Sequence, residues 1–130
     1  MPAPDVGLLA ADWPAPPGIR AGQTTRAGGL SAGPYATLNL GSNTKDDPLR
    51  VAANRARLRE ALRLPREPAW LKQVHGTTVV DATAVRAGDP APAADASVSA
   101  EAGVACVVLT ADCLPVLFCS DDGRWVGAAH

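Results

Sequence analysis

Three residues of this chain have side chains suited to holding a metal ion and lie where a scaffold can present them. His75 ends the run "WLKQV" and precedes Gly76. Cys113 breaks the apolar stretch "VVLTADCLPVLF", 107–118. His130 closes the apolar run "WVGAA". Ends and breaks of this kind are where side chains converge from rigid strands. Two imidazoles and a thiolate make a three-ligand zinc set, which leaves a fourth position open for chemistry. The spacing alone is not diagnostic, because the chain has no CxxC pair of the sort structural zinc sites use. Cys113 can equally be a small core residue, as Cys106 and Cys119 are expected to be inside their strands. His75 can be an ordinary hydrogen-bonded histidine. A nucleophilic Cys113 paired with His75, as in a cysteine hydrolase, is the third option.

Asp112 stands beside Cys113 and invites two explanations. It orients a ligand imidazole or acts as acid and base, or it is a turn residue accepting backbone N–H groups. Arg26 is a candidate for neutralising an anionic substrate, and Lys72 is expected to be exposed.

The elements that must position these residues are few. "DDPLRVAANRARLREALRLP" predicts one helix, capped by Asp46 or Asp47, with Pro48 at its first position and Pro65 beyond its end. Val51, Leu58, Ala61 and Leu62 form its apolar stripe. An N-terminal lead-in strand around Val6 to Ala11 is expected, followed by glycine-punctuated loops. Further strands are expected at Trp70–Val74, Thr78–Val80, Val104–Leu109, Leu114–Cys119 and Trp125–Ala129, with "SDDG" as a hairpin turn. The runs 104–109 and 114–119 are apolar almost throughout, which predicts cover on both faces. Residues 82–97 read as a Pro/Ala loop. The fold class is therefore α/β (α+β), a mixed sheet with flanking helices, in a single domain over residues 1–130 that is expected to be incomplete at its C-terminus.

Composition narrows the function classes. The net charge is −1, with no basic stripe interleaved with aromatics, so nucleic acid is not the expected partner. No apolar run reaches membrane-spanning length, and no membrane association is expected. The N-terminus lacks a basic n-region and carries Asp5 and Asp12, unlike a secretory leader. Three cysteines make no disulfide framework, so reduced thiols and a cytoplasmic location are expected. Aromatics are only 4% of the chain, so Ala, Val and Leu must fill the core.

The segments "TTRAGGLSAGPYATLNLG", "DDPLRVAANRARLREAL", "LKQVHGTTV", "ADASVS" and "TADCLPVLF…VGAAH" occur here in that order. In this the chain resembles the laccase-domain, YfiH-like family, first labelled multicopper polyphenol oxidase and later described as zinc-dependent purine nucleoside phosphorylases. The resemblance runs from about Thr24 to His130. It implies that His75, Cys113 and His130 are the metal ligands, and that Asp112 and Cys113 belong to the catalytic group. It implies Arg26, Asn39 and Gln73 around the substrate pocket. The expected substrates are a purine nucleoside and phosphate, and adenosine deaminase and S-methyl-5′-thioadenosine phosphorylase activities are expected beside the phosphorolysis. Zinc is the expected ion, with copper the alternative. A copper-dependent polyphenol oxidase is the alternative function, although a four-copper laccase site needs many histidines and this chain has two. The third alternative is an inactive metal-binding fragment. In the family the last histidine is followed by about as much chain again. Self-association, or pairing with that missing C-terminal segment, is therefore expected.

Overall fold

Pro48 and Asp47 start the helix for local reasons. The Asp47 carboxylate accepts the Leu49 N–H at 2.9 Å, and Pro48 occupies a first-turn position that has no hydrogen-bond partner to lose. Helix α1 then runs Pro48–Ala61 and buries Val51, Asn54 and Leu58. Leu62 caps its end, and Arg63 turns the chain out with a left-handed φ of 52°. These features belong to a computed structural model that describes residues 5–130; of the N-terminal lead-in, residues 1–4 lie outside the described part.

The chain divides into two compact units. The first holds the chain through Asp12 together with Arg20–Arg63. It contains α1 and a two-stranded antiparallel ribbon of β1 (Leu8–Ala10) and β2 (Gly22–Thr24). Its loops are held from within by one polar side chain. Asn54 is fully buried, accepts the Leu30 N–H at 2.7 Å, and donates to Ser31 Oγ at 2.9 Å and to the Asn39 carbonyl at 2.8 Å. Asp46, the other expected cap, is used differently: it accepts from Ser31 and Asn39, and these bonds, Ser31 foremost, hold its pKa below the ordinary value.

The second unit, Trp13–Ile19 with Leu64–His130, is built on a four-stranded mixed sheet in the order β3-β4-β6-β5. The strands are β3 (Val79–Asp81), β4 (Ala96–Ser99), β5 (Val116–Cys119) and β6 (Val126–Ala129). β3 and β4 are parallel, while β6 runs antiparallel to both β4 and β5. The fold is thus mixed α/β with one α-helix among the described residues. The helix lies in one unit and the larger sheet in the other. No helix of the described residues is long and apolar enough to cross a membrane.

Four expectations about strands need correction. The run 104–109 makes no ladder: only Cys106 bridges, to Ala69, and the 70–74 segment makes only a bridge from Lys72 to Ala93. β4 occupies the end of what reads as loop, because its Ala-Ser-Val-Ser sequence carries one apolar side chain of any size. β5 is not covered on both faces. Val116 and Phe118 stay 45% and 53% exposed, and the register aligns them with Val98 and, through Ala96, with Val79, both also exposed. The opposite face is the closed one, where Ser97, Ser99 and Ala128 are buried.

The buried amide in the first unit should matter more than the helix cap. Asn54→Ala strands a backbone N–H and two polar partners and should cost about 3 kcal/mol. Asp47→Ala should cost about 1 kcal/mol. Urea titration of both variants compares them; equal costs would mean that Asn54 does not hold the loops together.

Candidate metal centre

The sheet register brings the site together. Ala96 pairs with Ala129, Val79 with Ala96, and Val116 with Ala129. Thr78, Asp95, Pro115 and His130 therefore come level at one end of the sheet, where β3, β4 and β5 begin and β6 ends. His75 precedes β3, Cys113 precedes β5 and His130 follows β6, so residues far apart in sequence meet at that end. A register slip of one residue would turn these side chains to opposite faces.

His75, Cys113 and His130 do meet: each offers one ligand atom, and these atoms lie within 4.8 Å of one another. The two imidazole rings stand edge to face, with centroids 4.7 Å apart. Cys113 and His75 are exposed, while the His130 side chain is only 7% exposed. Two nitrogens and a sulfur suit a borderline-soft ion such as zinc, and copper competes for the same set. A tetrahedral ion wants its ligands about 3.3–3.8 Å apart, given metal–ligand bonds of ~2.0–2.3 Å.

The group that holds this arrangement was not singled out by the sequence. Asp95, buried at the start of β4, accepts the backbone N–H groups of Val74, His75 and Gly76 at 3.0, 3.0 and 2.9 Å. Its Oδ2 also lies 2.7 Å from His130 Nδ1. The His130 bond foremost, with the three amide donors, holds its carboxyl far below the usual range against the opposing effect of burial. The backbone joins in, since the His130 N–H donates to the Asp95 carbonyl at 2.7 Å. The signal available in the sequence was an acid immediately before an alternating segment, set in an Ala/Pro-rich stretch. The carboxylate against the His130 imidazole is therefore that of Asp95. Asp112 is exposed, and its Oδ1 lies 3.9 Å from Cys113 Sγ.

The remaining expected site residues have defined contacts of their own. Gln73 donates its amide to the Leu109 carbonyl at 2.7 Å and accepts the Leu109 N–H at 2.6 Å, bracing the chain that leads to Cys113. Arg26 and Asn39 belong to the first unit. Arg26 is exposed, and its Nε donates to the Ala36 carbonyl at 2.8 Å. Asn39 donates to Thr44 and Asp46 and accepts the Gly41 N–H. A recess of about 200 Å³ opens beside His130, lined also by Gly76, Thr77, Thr78, Val79 and Asp95 among others.

Residues 20–130 match a protein family described as multi-copper polyphenol oxidoreductase laccase. A Pseudomonas aeruginosa protein named purine nucleoside phosphorylase is 54% identical over 124 residues, covering 94% of this chain and 48% of that protein. The Escherichia coli purine nucleoside phosphorylase YfiH is 49% identical over 125 residues, with 95% and 50% covered. Among solved structures, a Neisseria meningitidis protein of the DUF152 family superposes with a TM-score of 0.89 at 48% identity, covering 95% of this chain and 50% of that one. YlmD from Geobacillus stearothermophilus gives 0.81 at 36% identity, with 95% and 49% covered. The chain thus spans about half the length of the curated relatives it matches.

The three thiols should differ in reactivity. Cys113 is exposed, Cys106 and Cys119 are half-buried, and burial pushes the Cys106 thiol pKa up. Iodoacetamide on the native chain should modify Cys113 first, about tenfold or more ahead of Cys106. Peptide mapping by mass spectrometry gives the order, and early modification of Cys106 would contradict this packing.

Proposed function

The chain belongs to the family described as multi-copper polyphenol oxidoreductase laccase, and from that premise we propose that it carries the metal-ligating part of a zinc-dependent purine nucleoside phosphorylase. The observation that carries the proposal is the convergence of the His75, Cys113 and His130 ligand atoms within 4.8 Å. The names of the relatives support purine nucleoside and phosphate as the substrates. Zinc held by these three residues would supply a Lewis acid with an open position. In the reaction, a phosphate oxygen bonds to C1′ of the ribose while the bond from C1′ to the purine nitrogen breaks. The base leaves with the bonding pair and takes up a proton. Asp112, beside Cys113, is the group proposed to handle that proton. Arg26 is proposed to hold phosphate, with Asn39 and Gln73 as substrate contacts. Adenosine deamination and S-methyl-5′-thioadenosine phosphorolysis are proposed for the same site, since both act on a purine nucleoside. A cytoplasmic location fits such substrates.

The family's description makes copper the second reading. With two histidines in the chain, copper would be a single ion on the same three ligands rather than a four-copper cluster. Polyphenol oxidation is correspondingly the weaker proposal.

The recess of about 200 Å³ falls below the roughly 300–1,000 Å³ of ordinary ligand sites. A whole nucleoside needs more wall than that. We propose that this wall comes from further chain such as the relatives possess, covering the open sheet face of Val79, Val98, Val116 and Phe118. Self-association over the same face is the alternative.

Metal content by mass spectrometry tests the site. The chain should carry close to one zinc per molecule, and Cys113→Ala should carry about tenfold less. Absence of metal from both would remove the zinc reading. Adding a separately produced C-terminal half of the Pseudomonas aeruginosa relative should then bring phosphorolysis of inosine and adenosine up from background. A monomeric mixture without activity would remove the proposed pairing.

A further inference from the structure

We propose that Asp95 is the positioning residue of the site: one carboxylate sets the ring tautomer of His130 and fixes the backbone from which His75 projects. The inference rests on the metal-binding reading for its purpose, though not for its geometry. Four groups surround this carboxylate. Oδ1 accepts from the Val74 and Gly76 N–H groups, at 3.0 and 2.9 Å. Oδ2 accepts from the His75 N–H at 3.0 Å and meets His130 Nδ1 at 2.7 Å. An ionised carboxylate can only accept, so Nδ1 of His130 must carry the hydrogen. The neutral ring then has its lone pair on Nε2, the nitrogen left to ligate an ion. The His130 and Asp95 side chains are 7% and 4% exposed, so water does not compete for the bond.

The second imidazole depends on the same group by another route. His75 has a left-handed φ of 59°, a conformation a non-glycine residue holds only when its surroundings impose it. Here the imposing groups are visible: three consecutive N–H donors, of residues 74, 75 and 76, close on two oxygens. Asp95 thus constrains both histidines through different atoms. A residue that merely closed a turn would have no reason to lie against the ring of His130.

The substitution Asp95→Asn bears chiefly on the ring because it keeps the shape, spares two of the three backbone bonds and changes the oxygen against His130 into a donor. With its oxygen toward Val74 and Gly76, the amide side chain retains two backbone bonds and turns its NH2 to His75 N–H and His130 Nδ1. Flipped, it sets that NH2 against two N–H donors, the worse arrangement. In the favoured one, His130 must accept at Nδ1, and the hydrogen moves to Nε2, where it blocks ligation.

The test uses the whole 130-residue chain. Long-range nitrogen–proton NMR of the metal-free protein, at a pH where imidazole is neutral, reads the tautomer directly. The wild type should show His130 as the Nδ1–H form, against the Nε2–H form that free histidine favours. Asp95→Asn should show Nε2–H, and chelator competition should show zinc affinity lower by about 10–100-fold. An unchanged tautomer with zinc affinity within about twofold of wild type would overturn the proposal. If Asp95→Asn does not fold, the wild type decides alone: an Nε2–H ring at His130 overturns it. If the wild type binds no zinc, the metal reading fails, while the tautomer still decides what Asp95 does to His130.

Discussion

The antiparallel register of β4 on β6 is the constraint from which the candidate site follows. Pairing Ala96 with Ala129 sets Asp95 opposite His130, and the parallel pairing of Val79 with Ala96 brings Thr78 to the same level. The hydrogen bonds that continue past the strands confirm the alignment: Asp95 N–H to the Thr78 carbonyl and His130 N–H to the Asp95 carbonyl. Neither histidine needs a rigid neighbour of its own. Both are tied to one buried carboxylate, and that carboxylate is tied to the sheet.

Each unit solves a similar problem with a similar device. The chain is poor in aromatics, and it has many loops to order. A single buried polar side chain does what a large apolar one would do elsewhere. Asn54 gathers Leu30, Ser31 and Asn39 in the first unit, and Asp95 gathers residues 74–76 and His130 in the second. Such groups order backbone that has no ladder to join. They also make the arrangement sensitive to a single atom, since one misplaced donor leaves several groups unsatisfied at once.

This device explains what was legible in the sequence and what was not. Helix α1 was legible because its start and stop signals are local: Asp47, Pro48 and the apolar spacing of Val51 and Leu58 all act within a few residues. The donor types at His75, Cys113 and His130 were legible because the chain has only two histidines and three cysteines and these stand at breaks. Asp95 was not, because its partners lie about 20 residues before it and 35 after it, and an acid in an Ala/Pro-rich stretch looks like solvent-facing loop. The run 104–109 misled for a related reason. Its apolar pattern suits a strand, yet Leu109 satisfies its backbone on the Gln73 side chain instead of on a neighbouring strand. Gln73 has both ends of its amide engaged there.

The sheet's two faces set the conditions under which the site could act. The closed face, with Ser97, Ser99 and Ala128 buried, gives the register its rigidity. The other face leaves Val79, Val98, Val116 and Phe118 exposed, and Cys113 and His75 are exposed at the sheet's end. Charge stabilisation by an ion or a carboxylate is several-fold weaker next to bulk water than in a water-excluded cavity. Binding a metal needs only that the ligand atoms converge, which the register arranges from within this unit. In the proposed phosphorolysis, attack of a phosphate oxygen on the ribosyl carbon needs in addition that water be kept from the same carbon, and an exposed sheet end does not keep it out. Ligation and catalysis therefore make separate structural demands. The convergence of the three side chains bears on the first, and on the proposed function the second calls for cover over the open face.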